Sequence, residues 1–313
     1  MKPKIYIDGK EGTTGLQIYE RLGGRDDIEL LTISDDKRKD LTERKRFLNT
    51  ADLVFLCLPD DAAREAVSLV TNEHTRIIDC STAHRTAEGW DYGFPELSPI
   101  YRENIQKSKR VANPGCHATG FISAVYPLIA AGTLSLDYPL TCFSLTGYSG
   151  GGKKMIAQYE GEKKDALYSP RIYGLSQNHK HLPEMQKICG LTRAPVFCPI
   201  VDDYYKGMAT TISLHSGLLH CDKSAREIWE VLSEYYREQP LIHVAPLNWS
   251  ESMIAANTMA GKDTLTLIVC GSEDGERITV TALFDNLGKG ASGAAVQNMN
   301  LMLGFEETEG LSL

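Results

Sequence analysis

No Cys-x-x-Cys pair occurs in the 313 residues, although the chain holds 8 cysteines. Their scattered spacing fits no zinc-ligand pattern, and several, such as Cys57, Cys142 and Cys270, fall in apolar runs. Reduced thiols in a cytosolic protein are the simpler reading. No apolar run is long enough to cross a bilayer. The opening residues Met-Lys-Pro-Lys-Ile-Tyr-Ile-Asp-Gly enter a strand at once, so no signal peptide is expected and a cytoplasmic location follows. Positive charge is not in excess. The net charge of −8 argues against a general nucleic-acid binder, while a local basic pocket for an anionic substrate stays open. There are no internal repeats and no low-complexity tract. What is present is an ordinary balance of apolar and charged residues in a chain long enough for two domains.

The first hundred residues alternate between strand and helix. Lys4 to Asp8 reads as a short buried strand, followed by Gly9-Lys-Glu-Gly12-Thr13-Thr14-Gly15 and a helix with Leu16, Ile18, Tyr19 and Leu22. In a dinucleotide-binding turn Gly9 permits the tight bend, Gly12 admits a pyrophosphate and Gly15 lets the helix pack on the strand; a plain tight turn is the alternative. Further strands are expected over 29–33, 53–58 and 76–79, with a helix over 62–70. Near-continuous apolar strands separated by helices predict a parallel, doubly wound, Rossmann-type sheet. After the second strand, Ser34 with Lys37 and Arg38 favours a ribose 2′-phosphate and hence NADP, while Asp35 keeps NAD open.

Cys116 stands in Asn113-Pro-Gly-Cys-His-Ala-Thr119-Gly, followed by the periodic apolar residues Phe121, Ile122, Val125, Leu128 and Ile129. This predicts a helix ending near Gly132 with the thiol at its start. There the macrodipole and unpaired N–H groups favour a thiolate and can hold an oxyanion.

The pattern then changes. A strand is expected over 138–146, leading into the loop Gly147 to Lys154, whose backbone N–H groups, with Lys153 and Lys154, suit an anion. The densest polar cluster is Tyr173-Gly-Leu-Ser-Gln-Asn-His179-Lys-His181-Leu-Pro-Glu184, with Pro183 opening a helix to about Cys189. His179 and His181 share a face if the segment is extended. No further ligand set supports a metal, and a neutral-range imidazole is the usual partner of a catalytic thiol. A strand over 208–214, a helix over 225–238 and a hairpin of 264–270 with 278–283 predict an α+β domain with a mixed or antiparallel sheet. The run Asp285-Asn286-Leu-Gly-Lys-Gly290-Ala-Ser opens a last apolar helix, a second glycine-rich cradle.

The glycine turn, the Asn113–Thr119 run, His179-x-His181-x-x-Glu184 and Asp285–Ala295 together resemble the N-acetyl-gamma-glutamyl-phosphate reductases. These are the arginine-biosynthesis members of the semialdehyde dehydrogenase superfamily. Tyr92–Leu97 and Ser81–Arg85 resemble further landmarks, although His84 stands where a Ser-Ala-Asp-Phe-Arg-like run is common.

The resemblance implies a domain of 1–115 plus 285–313 for NADP, and a catalytic and oligomerisation domain of 116–284. It implies Cys116 as nucleophile and His179 as acid/base, supported by Tyr173, His181 and Glu184. Lys153, Lys206 and Arg85 are the expected cations for the substrate. Gly9, Gly12, Thr13, Thr14, Gly15, Ser34, Arg38, Ser81, Asn286 and Gly290 form the expected cofactor side, with no metal. The implied reaction is NADPH-dependent reduction of an acyl phosphate through a Cys thioester, in a homo-oligomer without nucleic-acid or membrane partners. The rivals are aspartate-semialdehyde dehydrogenase, a non-catalytic NADP-binding scaffold and a Cys–His hydrolase.

Iodoacetamide at neutral pH is expected to label Cys116 faster than an ordinary exposed thiol, by roughly tenfold per unit of pKa depression. Equal rates, read by mass spectrometry, would remove the argument from the helix start.

Overall fold

A computed structural model describes residues 1–220, 223–247 and 249–313. The chain forms two compact units, one of 1–114 with 291–311 and one of 115–290 with 312–313.

The first unit runs β1 (Lys4–Asp8), α1 (Thr13–Leu22), β2 (Glu29–Leu31), α2 (Leu41–Thr50), β3 (Leu53–Leu56), α3 (Asp60–Leu69), β4 (Arg76–Asp79), β5 (Asp91–Tyr92), α4 (Pro99–Lys107) and β6 (Arg110–Ala112). Its six strands are all parallel, in the order β2-β1-β3-β4-β6-β5. Alternate residues of each strand feed two cores, because successive side chains point to opposite faces. Ile5, Ile7, Phe55 and Ile78 pack with Ile18 and Leu22 of α1. Tyr6, Val54, Leu56 and Ile77 pack with Leu48 of α2 and Ala63 and Ala66 of α3. The sheet is doubly wound, as its apolar strands predict. Its second strand closes at Leu31, two residues earlier than expected. The Asp40 carboxylate accepts the N–H groups of Thr42 and Glu43, capping α2, a helix absent from the sequence reading.

The second unit runs α5 (Cys116–Ala130), β7 (Thr141–Gly147), α6 (Gly152–Glu160), β8 (Arg171–Ile172), α7 (Leu182–Cys189), β9 (Val196–Asp202), β10 (Met208–His215), α8 (Ala225–Tyr236), β11 (Ile242–Val244), β12 (Leu265–Gly271) and β13 (Arg277–Phe284). A wide helical turn, Gly288–Ser292, leads into α9 (Gly293–Leu303), whose Val296, Met299 and Met302 belong to a core of the first unit. The seven strands of the second sheet take the order β11-β12-β13-β10-β7-β9-β8. Two of its pairings, β11 with β12 and β7 with β9, are parallel and the others antiparallel, so the sheet is mixed. The expected loop 147–154 is instead a short 3₁₀ turn, Tyr148–Gly151, followed by α6, so Lys153 and Lys154 stand on a helix's first turn.

Helix α5 lies on this sheet, with Phe121, Ile122, Val125 and Leu128 all at most 1% exposed. Each such side chain contributes about 1.5–3 kcal/mol relative to exposure. That outweighs the penalty of about 1 kcal/mol for Gly120 within the helix. Gly120 is required by proximity: a Cβ there would stand 2.5 Å from Thr210 Oγ1 and 2.9 Å from a Phe284 ring carbon. The opposite face of the sheet is covered in part by the cluster of Ala245, Ala256, Trp249, Ile254 and Met259 against Ala209, Ile268 and Leu283. Beyond that cluster Phe143 and Val196 stay exposed.

Replacing Gly120 by Ala raises helix propensity but overfills the helix–sheet contact. A net loss of about 1–3 kcal/mol is expected, read as a lower urea midpoint. An unchanged or higher midpoint would mean that α5 can lift off Thr210 at no cost.

Candidate active site

Cys116 is the first residue of α5, with Gly115 as N-cap in extended conformation. The N–H of Gly115 donates to Glu184 Oε1 at 2.9 Å. Glu184 is buried in the first turn of α7, so this carboxylate fixes the backbone at the point where the chain turns into the thiol. Gly290 closes the other side: a Cβ there would stand 3.0 Å from the Cys116 Cβ.

The neighbouring imidazole, His117, is buried between sheet and loop. Its Nδ1 lies 2.7 Å from Ser144 Oγ on β7, and its Nε2 lies 2.6 Å from the Tyr173 hydroxyl. Ser144 Oγ is in turn 2.8 Å from Thr210 Oγ1 on β10. These two residues face one another across the antiparallel register. Burial, reinforced by the positive fields of His179 and Lys180, pulls the His117 pKa down to about 3. The imidazole is therefore neutral at pH 7. Burial raises the Tyr173 phenol well above its ordinary value, and the charge of a Cys116 thiolate adds to the rise. Sulfur and phenol thus feel one another.

His179 stands edge-on to His117, His181 and Phe197, with ring centroids 5.6, 4.9 and 5.1 Å away. Burial, with Lys180 as a lesser cause, lowers its pKa to about 4. The backbone N–H of His181 donates to His179 Nδ1 at 3.3 Å, which leaves the proton of the neutral ring on Nε2. The segment is a turn, not the extended strand expected: His181 is helical and the N–H of Leu182 bonds the His179 carbonyl at 3.0 Å. The two imidazoles meet through that turn. Upstream, Gln177 adopts φ +54. Its side-chain amide donates to the Phe197 carbonyl at 2.8 Å and accepts the Phe197 N–H at 2.9 Å. Two hydrogen bonds of about 1 kcal/mol each offset a strain of similar size.

Lys153 stands in the first turn of α6. Lys206 Nζ lies 3.6 Å from Asp285 Oδ2. Arg85 belongs to the first unit, where its guanidinium donates to the carbonyls of Asn113 and Cys80 at 3.0 and 3.2 Å. Asn286 is in the second unit, where its amide accepts the Gly207 N–H at 2.8 Å and donates to Ser149 at 3.0 Å.

On the first unit, Gly9 has φ +91, and a Cβ there would stand 2.3 Å from the Cys57 carbonyl oxygen. A Cβ on Gly15 would meet the Gly9 oxygen at 2.4 Å, and the Gly12 N–H bonds that oxygen at 2.9 Å. The turn is a backbone-only cradle at the start of α1. Beside it Thr13 Oγ1 is buried with no hydrogen-bond partner among the described residues. A cavity of about 620 Å³ continues along the strand ends, lined by Gly9, Lys10, Ser34, Asp35, Arg38 and Lys39 among others. Arg44 also borders it but is engaged, with Asp8 at 2.8 Å and Glu65 at 3.0 Å. The glycine cradle, the orphaned hydroxyl and the cations beside Ser34 fit a phosphorylated dinucleotide. Ser81 is folded onto its own strand end, donating to Asp79 at 2.8 Å. His84 bonds the same carboxylate at 2.5 Å and stacks on Trp90 with centroids 4.1 Å apart.

His117, Ser144, Thr210, Phe197 and the Asp8–Arg44 pair were not among the candidate residues. Only His117 carried a signal, its place beside the thiol.

Together the two units have the make-up of a two-domain, dinucleotide-dependent oxidoreductase. Residues 4–108 match the model of the semialdehyde dehydrogenase NAD-binding domain, and residues 116–286 that of the semialdehyde dehydrogenase dimerisation domain. The chain is 48% identical to N-acetyl-gamma-glutamyl-phosphate reductase 2 of a Nostoc species, with 99% of each chain covered. It is 48% identical to N-acetyl-gamma-glutamyl-phosphate reductase of Sinorhizobium medicae, over 97% of this chain and 99% of the relative. The crystal structure of aspartate semialdehyde dehydrogenase II from Vibrio cholerae, complexed with ASA, superposes with TM-score 0.75 at 15% identity, covering 97% of this chain and 98% of that one. Aspartate semialdehyde dehydrogenase with NADP from Candida albicans gives 0.68 at 14%, covering 97% and 99%. The chain belongs to the semialdehyde dehydrogenase family, in its N-acetyl-gamma-glutamyl-phosphate reductase branch.

The buried neutral His117 makes stability depend on pH. Its folded pKa lies below the unfolded value, so its contribution is complete above about 6.5 and is lost as pH falls toward 3. Compared with the His117→Gln variant, the wild-type chain is expected to lose about 1 kcal/mol more unfolding free energy per pH unit between 6 and 4. Parallel urea-midpoint curves for the two proteins would overturn this.

Proposed function

We propose that this chain reduces N-acetyl-gamma-glutamyl phosphate to N-acetylglutamate 5-semialdehyde with release of phosphate, through a thioester on Cys116, in arginine biosynthesis. The carrying observation is Cys116 at the first position of α5, in a chain 48% identical along nearly its whole length to reductases of that name. The aspartate semialdehyde dehydrogenases are similar only at 15% identity, a likeness of fold.

The N-terminus of α5 favours the Cys116 thiolate. The sulfur attacks the acyl carbon, the S–C bond forms, and the C–O bond to phosphate breaks. The glycine cradle with Ser34 and Arg38 would hold NADPH, which would supply the hydride to the thioester carbon when bound. The N–H groups of the first turn of α5 hold the oxyanion of the resulting thiohemiacetal. His179, neutral at pH 7 with its proton on Nε2, adds a hydrogen bond to that oxygen. Collapse breaks the S–C bond, releases the aldehyde and returns the thiolate. Glu184 and His181 hold the turn and the helix start in place. Lys153, Lys206 and Arg85 attract the phosphate and carboxylate of the substrate.

In this reading 1–115 with 285–313 binds the cofactor and 116–284 carries catalysis and self-association. The uncovered sheet surface around Phe143 and Val196 supports a homo-oligomer, in a region that matches a dimerisation domain.

The test runs the reaction backwards. Phosphate-dependent reduction of NADP with N-acetylglutamate semialdehyde is expected, with aspartate semialdehyde as the parallel substrate. Cys116→Ser is expected to lower kcat by about a thousandfold or more. No turnover of the acetylated substrate, or full turnover by Cys116→Ser, would sink the proposal.

A further inference from the structure

Four groups form a continuous hydrogen-bonded line into the site: Thr210 Oγ1, Ser144 Oγ, the two nitrogens of His117, and the Tyr173 hydroxyl. The three spacings are 2.8, 2.7 and 2.6 Å. Three of the groups are buried in the packing of α5 on the sheet, where water cannot substitute for a missing partner. We propose that His117 is a positioning residue, which, held by Ser144 and Thr210, fixes the Tyr173 hydroxyl as a hydrogen-bond donor to the Cys116 sulfur and to the oxyanion formed on it. The proposal rests on Cys116 being the reacting thiol, and concerns what holds that thiol ready.

The direction of the line follows from counting protons. A neutral imidazole carries one N–H. With the proton on Nδ1, Nε2 would take the Tyr173 proton, and the phenol would turn lone pairs toward the sulfur. A thiolate beside such an oxygen is destabilised. With the proton on Nε2, the ring donates to the Tyr173 oxygen and the phenol proton points onward. Ser144 then donates to Nδ1 and Thr210 donates to Ser144. Every group in this second arrangement has a partner, and each bond polarises the next toward the sulfur. The low pKa of His117 removes the third possibility, a doubly protonated ring. Gly120 is what permits the arrangement, since a side chain there would displace Thr210.

The other ionisable groups around the line are His179, His181, Lys180 and Glu184. They are common to the wild type and to every variant below, so differences between proteins report the line itself.

The experiment is the rate of Cys116 alkylation by iodoacetamide against pH, followed by mass spectrometry of the Cys116 peptide in the full-length chain. Circular dichroism confirms that each variant is folded. Tyr173→Phe removes the donor, and His117→Leu removes the residue that aims it. Each is expected to raise the pH midpoint of alkylation by about one unit, a tenfold lower rate at neutral pH. The double variant is expected to match the single ones, because both changes break the same path. His117→Gln keeps an N–H at the Nε2 position and is expected to keep the wild-type midpoint. Should His117→Leu fail to fold, Ser144→Ala, which frees the tautomer, is expected to give a smaller shift in the same direction.

Folded Tyr173→Phe and His117→Leu or Ser144→Ala proteins with the wild-type midpoint would overturn the proposal. So would additive shifts in the double variant, or a His117→Gln protein that behaves as His117→Leu does. Alkylation needs neither the acyl phosphate nor the dinucleotide. A failure of the proposed substrate therefore leaves this readout untouched, and the two ideas fail separately.

Discussion

The close approach of α5 to the mixed sheet is the constraint on which the second unit depends. A helix with an ordinary side chain at position 120 would ride higher over β10. His117 would then fall short of Ser144, and Tyr173 would lose its partner at the far side of the ring. The thiol itself would shift, because Glu184 and Gly290 hold the first residues of the helix from either side. Chemistry at position 116 is thus set by packing four residues further on. The apolar surface of α5 provides the free energy and the polar line beneath it provides the orientation.

The first unit solves a different problem by a similar device. Its glycine turn brings backbone to backbone, with the Gly9 oxygen placed between Gly12 and Gly15. No side chain fits in that space, so the turn meets α1 through backbone alone. Arg44 borders the adjoining cavity but is held by two carboxylates. The charge available to a bound phosphate comes from Lys10, Arg38 and Lys39, all on turns at the strand ends.

Much of this was legible in the residue order. Long apolar strands such as Leu53–Leu56 announce a parallel sheet, and Pro-Gly before an apolar helix places Cys116 at its start. The very short strands β5 and β6 carry too few residues to show a period, and they were missed. Ser144 and Thr210 look like any inward-facing hydroxyl on a strand, and they are 66 residues apart. Only the register of β7 with β10 makes them one unit. His117 sits next to the thiol in sequence, yet whether its ring points to solvent or to the sheet depends on how α5 lies. Asn286 read as a cofactor residue because it follows a glycine-rich pattern, and the structure occupies both ends of its amide within the second unit.

The amide of Gln177 has a consequence of its own. It takes the place of a neighbouring strand for Phe197, presenting one donor and one acceptor to the backbone. A carboxylate in its place would still accept the Phe197 N–H but would set an oxygen against the Phe197 carbonyl, losing one of the two bonds that hold the bend before His179. The bend ahead of His179 is therefore tied to β9 by a side-chain amide standing in for a backbone ladder.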